Sequence, residues 1–275
     1  MALPSLPNKK RPLWKWILLF IVAVLLAIIA YGMVVAGFQA SSNFLHPCFT
    51  IVAAAIILGL YALFVRWIER HWPTDLSLRR LAPDTLLGLL VGFIFMVLVV
   101  STIVATGSAT LGWRGFMANQ QLDMFMMFLA VAVGEEMIFR GVIFRWIDER
   151  WNTWVALLIS AILFGWIHIS NDNATWWSSL GIAIEAGLLL GAAYKFSGNL
   201  WLPIGIHWGW NLMEGPVLGF AVSGNGMAPG EAVCLSTVSG PDIISGGAFG
   251  LEASIFAAVI GLAIAAWFVH RTARR

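Results

Sequence analysis

The chain has 275 residues, 60% apolar and 11% charged, with 16 basic against 14 acidic side chains for a net charge of +2. That mix excludes a soluble domain, and the small charge surplus gives no surface for nucleic acid; it is the composition of a membrane protein. A bilayer core of about 30 Å takes roughly 20 apolar residues of helix, and such runs recur along the sequence.

Eight spans are expected, over residues 14–37, 47–67, 84–107, 123–146, 153–170, 175–195, 199–220 and 250–270. The first follows Lys9, Lys10, Arg11 and Lys15 and precedes Ala36-Gly37 and Ala40-Ser41, as a signal peptide would. Its apolar stretch is too long for a cleavable one, so it reads as an uncleaved helix. With the N-terminus inside, Lys9, Lys10, Arg11, Lys15, Arg66, Arg70, Arg79, Arg80, Arg145, Arg150, Lys195, Arg271, Arg274 and Arg275 all fall in cytoplasmic segments. Only Arg114 falls outside, and Arg140 lies within a helix. This asymmetry puts both termini in the cytoplasm, facing anionic lipid, at the inner membrane if the source is bacterial. Trp14, Trp16, Trp151, Trp154, Trp176 and Trp177 cluster near span ends and read as interfacial belts.

The loops are too short for a soluble domain, so residues 1–275 read as one polytopic, all-α membrane domain. The longest polar segments run from Arg66 to Pro83 inside and from Ala221 to Phe249 outside. The outer one is rich in glycine and holds Pro229 and Pro241, so it is expected to be irregular and partly mobile. Cys48 and Cys234 both fall on the outer side; a disulfide between them and two free thiols are both open readings.

A charge at mid-membrane costs about 2.5–3.5 kcal/mol on insertion scales, so ionisable residues inside spans are functional candidates. They are Glu135, Glu136, Arg140, His168, Glu185, His207 and Glu214, with Asn211 as a further polar group. Glu136 and Arg140 stand one helical turn apart with the acid first, the better orientation for an ion pair. Adjacent helix positions diverge by about 100°, which leaves Glu135 without an intrahelical cation and makes it the chemically available carboxylate. His168 shares a helix face with Phe164, and His207 shares one with Asn211. Two histidines, an amide and a spare carboxylate on three helices suit amide hydrolysis, which needs a water-activating base and donors to the oxyanion.

Three motifs then appear in order: Glu-Glu-x-x-x-Arg at Glu135, Glu136 and Arg140, Phe-x-x-x-His at Phe164 and His168, and His-x-x-x-Asn at His207 and Asn211. Together with Gly191, Tyr194, Gly198, Leu200, Trp201, Pro203 and Ile204 on the approach to His207, they resemble the type II CAAX prenyl endopeptidase family of CAAX proteases and bacteriocin-processing enzymes. The resemblance covers roughly residues 123–215. It implies an eight-helix fold with a cavity open toward the cytoplasmic leaflet, a glutamate-activated water, no covalent intermediate and no cofactor. Carried over, Glu135 is the general base, His168 assists it, His207 and Asn211 form the oxyanion site, and Glu136, Arg140 and Phe164 support the site. Glu185 and Glu214 match no motif; Glu214, seven residues after His207 on the same face, is open to a supporting role or to helix packing.

Other readings stand beside this one. Glu135, His168 and His207 are also a zinc-ligand set, although no His-Glu-x-x-His pair is present and Asn211 suits an oxyanion better than a metal. An ion or proton transporter would use the same buried charges, but no inverted repeat is visible. A non-catalytic scaffold or immunity protein is the third alternative. As a protease, the chain would act on a membrane-associated protein or peptide such as a leader peptide, an anchored regulator or a peptide toxin.

Overall fold

The computed structural model describes residues 46–228 and 230–274 and most of 12–25. The expected first span, over 14–37, thus lies largely outside the described residues; Leu13–Val22 is a short apolar helix. Five helices are long and apolar enough to cross a membrane: Thr50–Glu69, Leu78–Ala105, Thr153–Ser170, Trp176–Ser197 and Ile255–Ala273. They correspond to the second, third, fifth, sixth and eighth expected spans, and they make this an integral membrane protein.

The fourth and seventh expected spans are helical as well, over 118–150 and 201–217, but neither is among the five helices that are both long and apolar enough. Every residue from Trp201 to Leu212 is buried. A helix enclosed by other helices has no lipid-facing side to keep apolar, so it can carry the polar groups of a site.

Three expectations need correction. The third span begins at Leu78 rather than 84, because Arg80 pairs with Asp84 one turn on at 2.9 Å and the charged turn is already helical. The fold is not purely α: Ala109–Trp113 and Cys234–Val238 form an antiparallel two-stranded sheet with Thr110 opposite Thr237. The outer loop is accordingly tied down. Its glycines and prolines hid a five-residue strand and a short helix, Asp242–Ser245. Cys48 and Cys234 are free thiols, Cys48 exposed on its helix and Cys234 in the strand opposite Trp113.

The most extensive helix–helix contact in the bundle joins Leu78–Ala105 to Trp201–Leu212. Each helix contributes two glycines four residues apart, Gly88 and Gly92 on one and Gly205 and Gly209 on the other. A Cβ added to Gly88 would lie 2.7 Å from the Ile206 nitrogen, one on Gly92 2.7 Å from the Trp210 nitrogen, and one on Gly209 2.6 Å from the Leu89 carbonyl. Without side chains at these four positions the two backbones come into direct contact, which is how helices in lipid gain packing energy in the absence of a hydrophobic drive. His207 sits between the second pair.

At one end of the bundle, Arg145 bonds Glu69 at 2.7 Å and lies 3.7 Å from Asp75. The buried Asp75 accepts hydrogen bonds from the Tyr61 and Tyr194 hydroxyls at 3.1 and 3.4 Å. Burial pushes the Asp75 carboxyl above the usual range, against the opposing pull of the Arg145 cation. This knot locks the 70–77 loop onto three helices.

Candidate active site

The site grows from three helices whose regular winding is interrupted. Ala118–Glu136 passes into a π-helical segment at Met137–Phe144, Trp176–Ile182 into one at Ala183–Leu188, and Trp201–Leu212 into one at Met213–Val217. Such segments insert an extra residue per turn, re-aim the side chains that follow and concentrate at functional sites. Arg140, Glu185 and Glu214 lie within them and Glu136 immediately precedes one.

Glu135 and Glu136 separate as the helix geometry requires. The Glu136 side chain is fully buried, whereas that of Glu135 keeps 27% of its surface open. Arg140 donates to Glu136 Oε1 at 2.8 Å and to the carbonyls of Ala186 and Gly187 at 3.2 Å each, and its guanidinium lies 4.5 Å from the centre of the Phe164 ring. Phe164 therefore supports the pair from below while packing against His168 at 4.9 Å and His207 at 6.1 Å between ring centres.

Glu136 does more than neutralise Arg140. The same oxygen lies 2.9 Å from His207 Nδ1, so the carboxylate accepts a hydrogen bond from Nδ1–H and fixes the ring. His207 Nε2 is then turned toward Glu135, 4.0 Å from Oε2. In the neutral ring Nε2 carries a lone pair; in the doubly protonated ring it is a donor. His168 Nδ1 donates to the Phe164 carbonyl at 2.7 Å, because a carbonyl can only accept, which leaves its Nε2 free for chemistry.

Asn211 follows His207 by one turn. It is buried, and its Oδ1 has no hydrogen-bond partner. Trp210 stacks on the His207 ring with 4.9 Å between centres and 28° between planes. Glu185 is fully buried with neither oxygen hydrogen-bonded, and its backbone touches the last helix at Gly261. Glu214 is equally buried and faces Gly250, where an added Cβ would stand 2.9 Å from its Oε1.

Both acids surround a residue that the sequence gave no reason to single out. Glu252, in the turn Leu251–Ala253 before the last helix, is 1% exposed and within electrostatic reach of Glu185, Glu214 and His168. Burial pushes its carboxyl up, opposed by its hydrogen bonds and by His168. Glu252 falls at the edge of the expected 250–270 span, where no local signal marks it as buried.

Among the described residues, no three His, Cys, Asp or Glu side chains are grouped closely enough to hold a metal ion.

Residues 117–213 match the family model described as type II CAAX prenyl endopeptidase Rce1-like. The matched segment contains all three motifs, and the resemblance read from them is to that same family. Neither the curated proteins nor the solved structures contain a match to this chain.

Proposed function

We propose that this protein is an intramembrane endopeptidase that hydrolyses a peptide bond of a membrane-associated protein or peptide, with a water activated by Glu135 and without a metal. One observation carries the reading: Glu135 Oε2 stands 4.0 Å from His207 Nε2, and this oxygen is buried without a hydrogen-bond partner. That gap is too long for a direct hydrogen bond and short enough for one water bonded to both.

In this mechanism Glu135 takes one proton from the water as its oxygen attacks the scissile carbonyl carbon. The carbonyl oxygen becomes an oxyanion and accepts hydrogen bonds from Asn211 and from His207 Nε2 in its doubly protonated form. Glu135 then passes its proton to the departing amide nitrogen as the C–N bond breaks. Glu136 holds His207 in register, Arg140 holds Glu136, and His168 assists Glu135 through its free Nε2.

A membrane-embedded substrate would approach through an apolar groove of about 570 Å³, lined by Ile17, Phe20 and Val24 near the N-terminus and by Ile138, Phe139 and Leu163. Phe139 forms part of its wall and packs edge-on against Phe164, 4.9 Å between centres, so only two rings separate the groove from the histidines. Eight spans with cytoplasmic termini complete the reading; a reporter fused after Arg275 is expected to work only inside the cell, and outside activity alone would refute that topology.

Purified protein in detergent, given a cleavable membrane peptide after exhaustive chelation, tests the mechanism. Full cleavage by the wild type and a loss of about 10²–10⁴ in Glu135→Gln are expected for a general base. Activity that vanishes on chelation and returns with zinc would overturn the metal-free reading.

A further inference from the structure

We infer that Glu252, which lies outside the segment matched by the family, is a positioning residue that sets the orientation of both His207 and His168. The inference rests on the protease reading for its consequence, but its geometry is independent of that reading.

The Glu252 carboxylate is held by donors from two directions. Oε1 accepts the Trp210 indole N–H at 3.0 Å, and Oε2 accepts both the backbone N–H and the hydroxyl of Ser223, at 2.7 and 2.8 Å. On the first side the bond fixes the indole in its own plane, and that plane is stacked on His207. Trp210 is 1% exposed and also packs against Phe95, so it has little freedom to settle elsewhere. The imidazole is thus gripped twice, at Nδ1 by Glu136 and across its face by an indole that Glu252 holds.

On the second side the link reaches the other histidine. The Ser223 carbonyl accepts a hydrogen bond from Asn171 Nδ2 at 2.9 Å, and the Asn171 backbone N–H bonds the His168 carbonyl at 3.1 Å. Ser223 adopts φ 47°, a left-handed conformation that disfavours a residue with a side chain. Its two bonds to Glu252 hold it there. One carboxylate therefore braces the helix end that carries His168 and the indole that backs His207, and a neutral or shorter group would release both.

The test uses full-length protein in detergent with isotope-labelled histidine. The chain has 5 histidines, few enough for each ring signal to be assigned by substituting His168 and His207 singly. Glu252→Gln is expected to move the ring signals of His207 and His168 while those of His71 and His270 stay in place. Trp210→Phe keeps a stacking ring but loses the N–H. It should move the His207 signal, and adding Glu252→Gln to it should leave that signal where it is.

In the cleavage assay, Glu252→Gln should lower kcat about ten- to a hundredfold with KM little changed, the usual scale for a lost orienting group. The double variant should be no slower than the slower single one. His207 and His168 signals that do not move, or that move together with all the others, would overturn the inference. So would an unchanged kcat in an active enzyme. If the wild type cleaves nothing, the protease reading fails while the ring signals still decide the role of Glu252. Should Glu252→Gln fail to fold, Trp210→Phe decides alone: a fixed His207 signal refutes the indole link.

Discussion

Removing Arg140 separates what holds this site together from what makes it react. The guanidinium is fully buried and satisfies Glu136 and two carbonyls of the neighbouring π-helical segment. Arg140→Ala would leave the Glu136 charge buried with only His207 beside it, and breaking a buried pair in this way costs about 3–5 kcal/mol. Folded proteins have only about 5–15 kcal/mol in total, so the folded fraction in detergent should fall steeply. Replacing both partners by neutral groups is far less harmful, and Glu136→Gln with Arg140→Met should recover most of that fraction. Cleavage should not return with it. His207 Nδ1 would then face an amide in place of an anion, and a rate at least about tenfold below wild type is expected. Size-exclusion profiles and denaturant titration give the folded fraction, and peptide cleavage per folded molecule gives the rate. Arg140→Ala that folds and cleaves normally would refute the ion-pair argument, and a double variant at the wild-type rate would refute the role given to Glu136.

Two further outcomes follow from the same geometry. Asn211→Ala should lose about 2.7–4 kcal/mol of transition-state stabilisation, seen as a lower kcat at unchanged KM; a raised KM alone would make Asn211 a substrate-binding group instead. Burial raises the Asp75 carboxyl, so its contribution to stability is fully present below the ordinary carboxylate value and is lost as pH rises through the raised one. Asp75→Asn removes that titration, so its melting temperature relative to wild type should improve as pH rises above the ordinary carboxylate value of about 4, and a constant difference would contradict the buried-acid account.

The parts of the site visible in the sequence are those governed by spacing within one helix. The Glu136–Arg140 pair, the divergence of Glu135 from Glu136 and the shared face of His207 and Asn211 all follow from 3.6 residues per turn. What spacing cannot show is contact between helices. The Glu136–His207 bond joins positions 71 apart, and it makes the expected support a direct partner of the His207 ring. Glu252 was hidden for the same reason, since its partners come from a helix and a loop far along the chain. The π-helical segments were invisible because the apolar pattern around them stays compatible with an ordinary helix. Arg145 read as a topology signal, and its link to Glu69 and the buried Asp75 depends on a loop fold that no local pattern encodes.

The four interlocked glycines also decide which parts of the molecule are free to move. Sliding or tilting Trp201–Leu212 against Leu78–Ala105 would drive backbone into backbone at these glycines, where no side chain lies between them to change rotamer. His207 and Asn211 therefore ride on a stationary frame. Any widening that admits a polypeptide is left to contacts made through side chains, such as the aromatic rings between the 118–150 and 153–167 helices, where one helix already departs from regular winding.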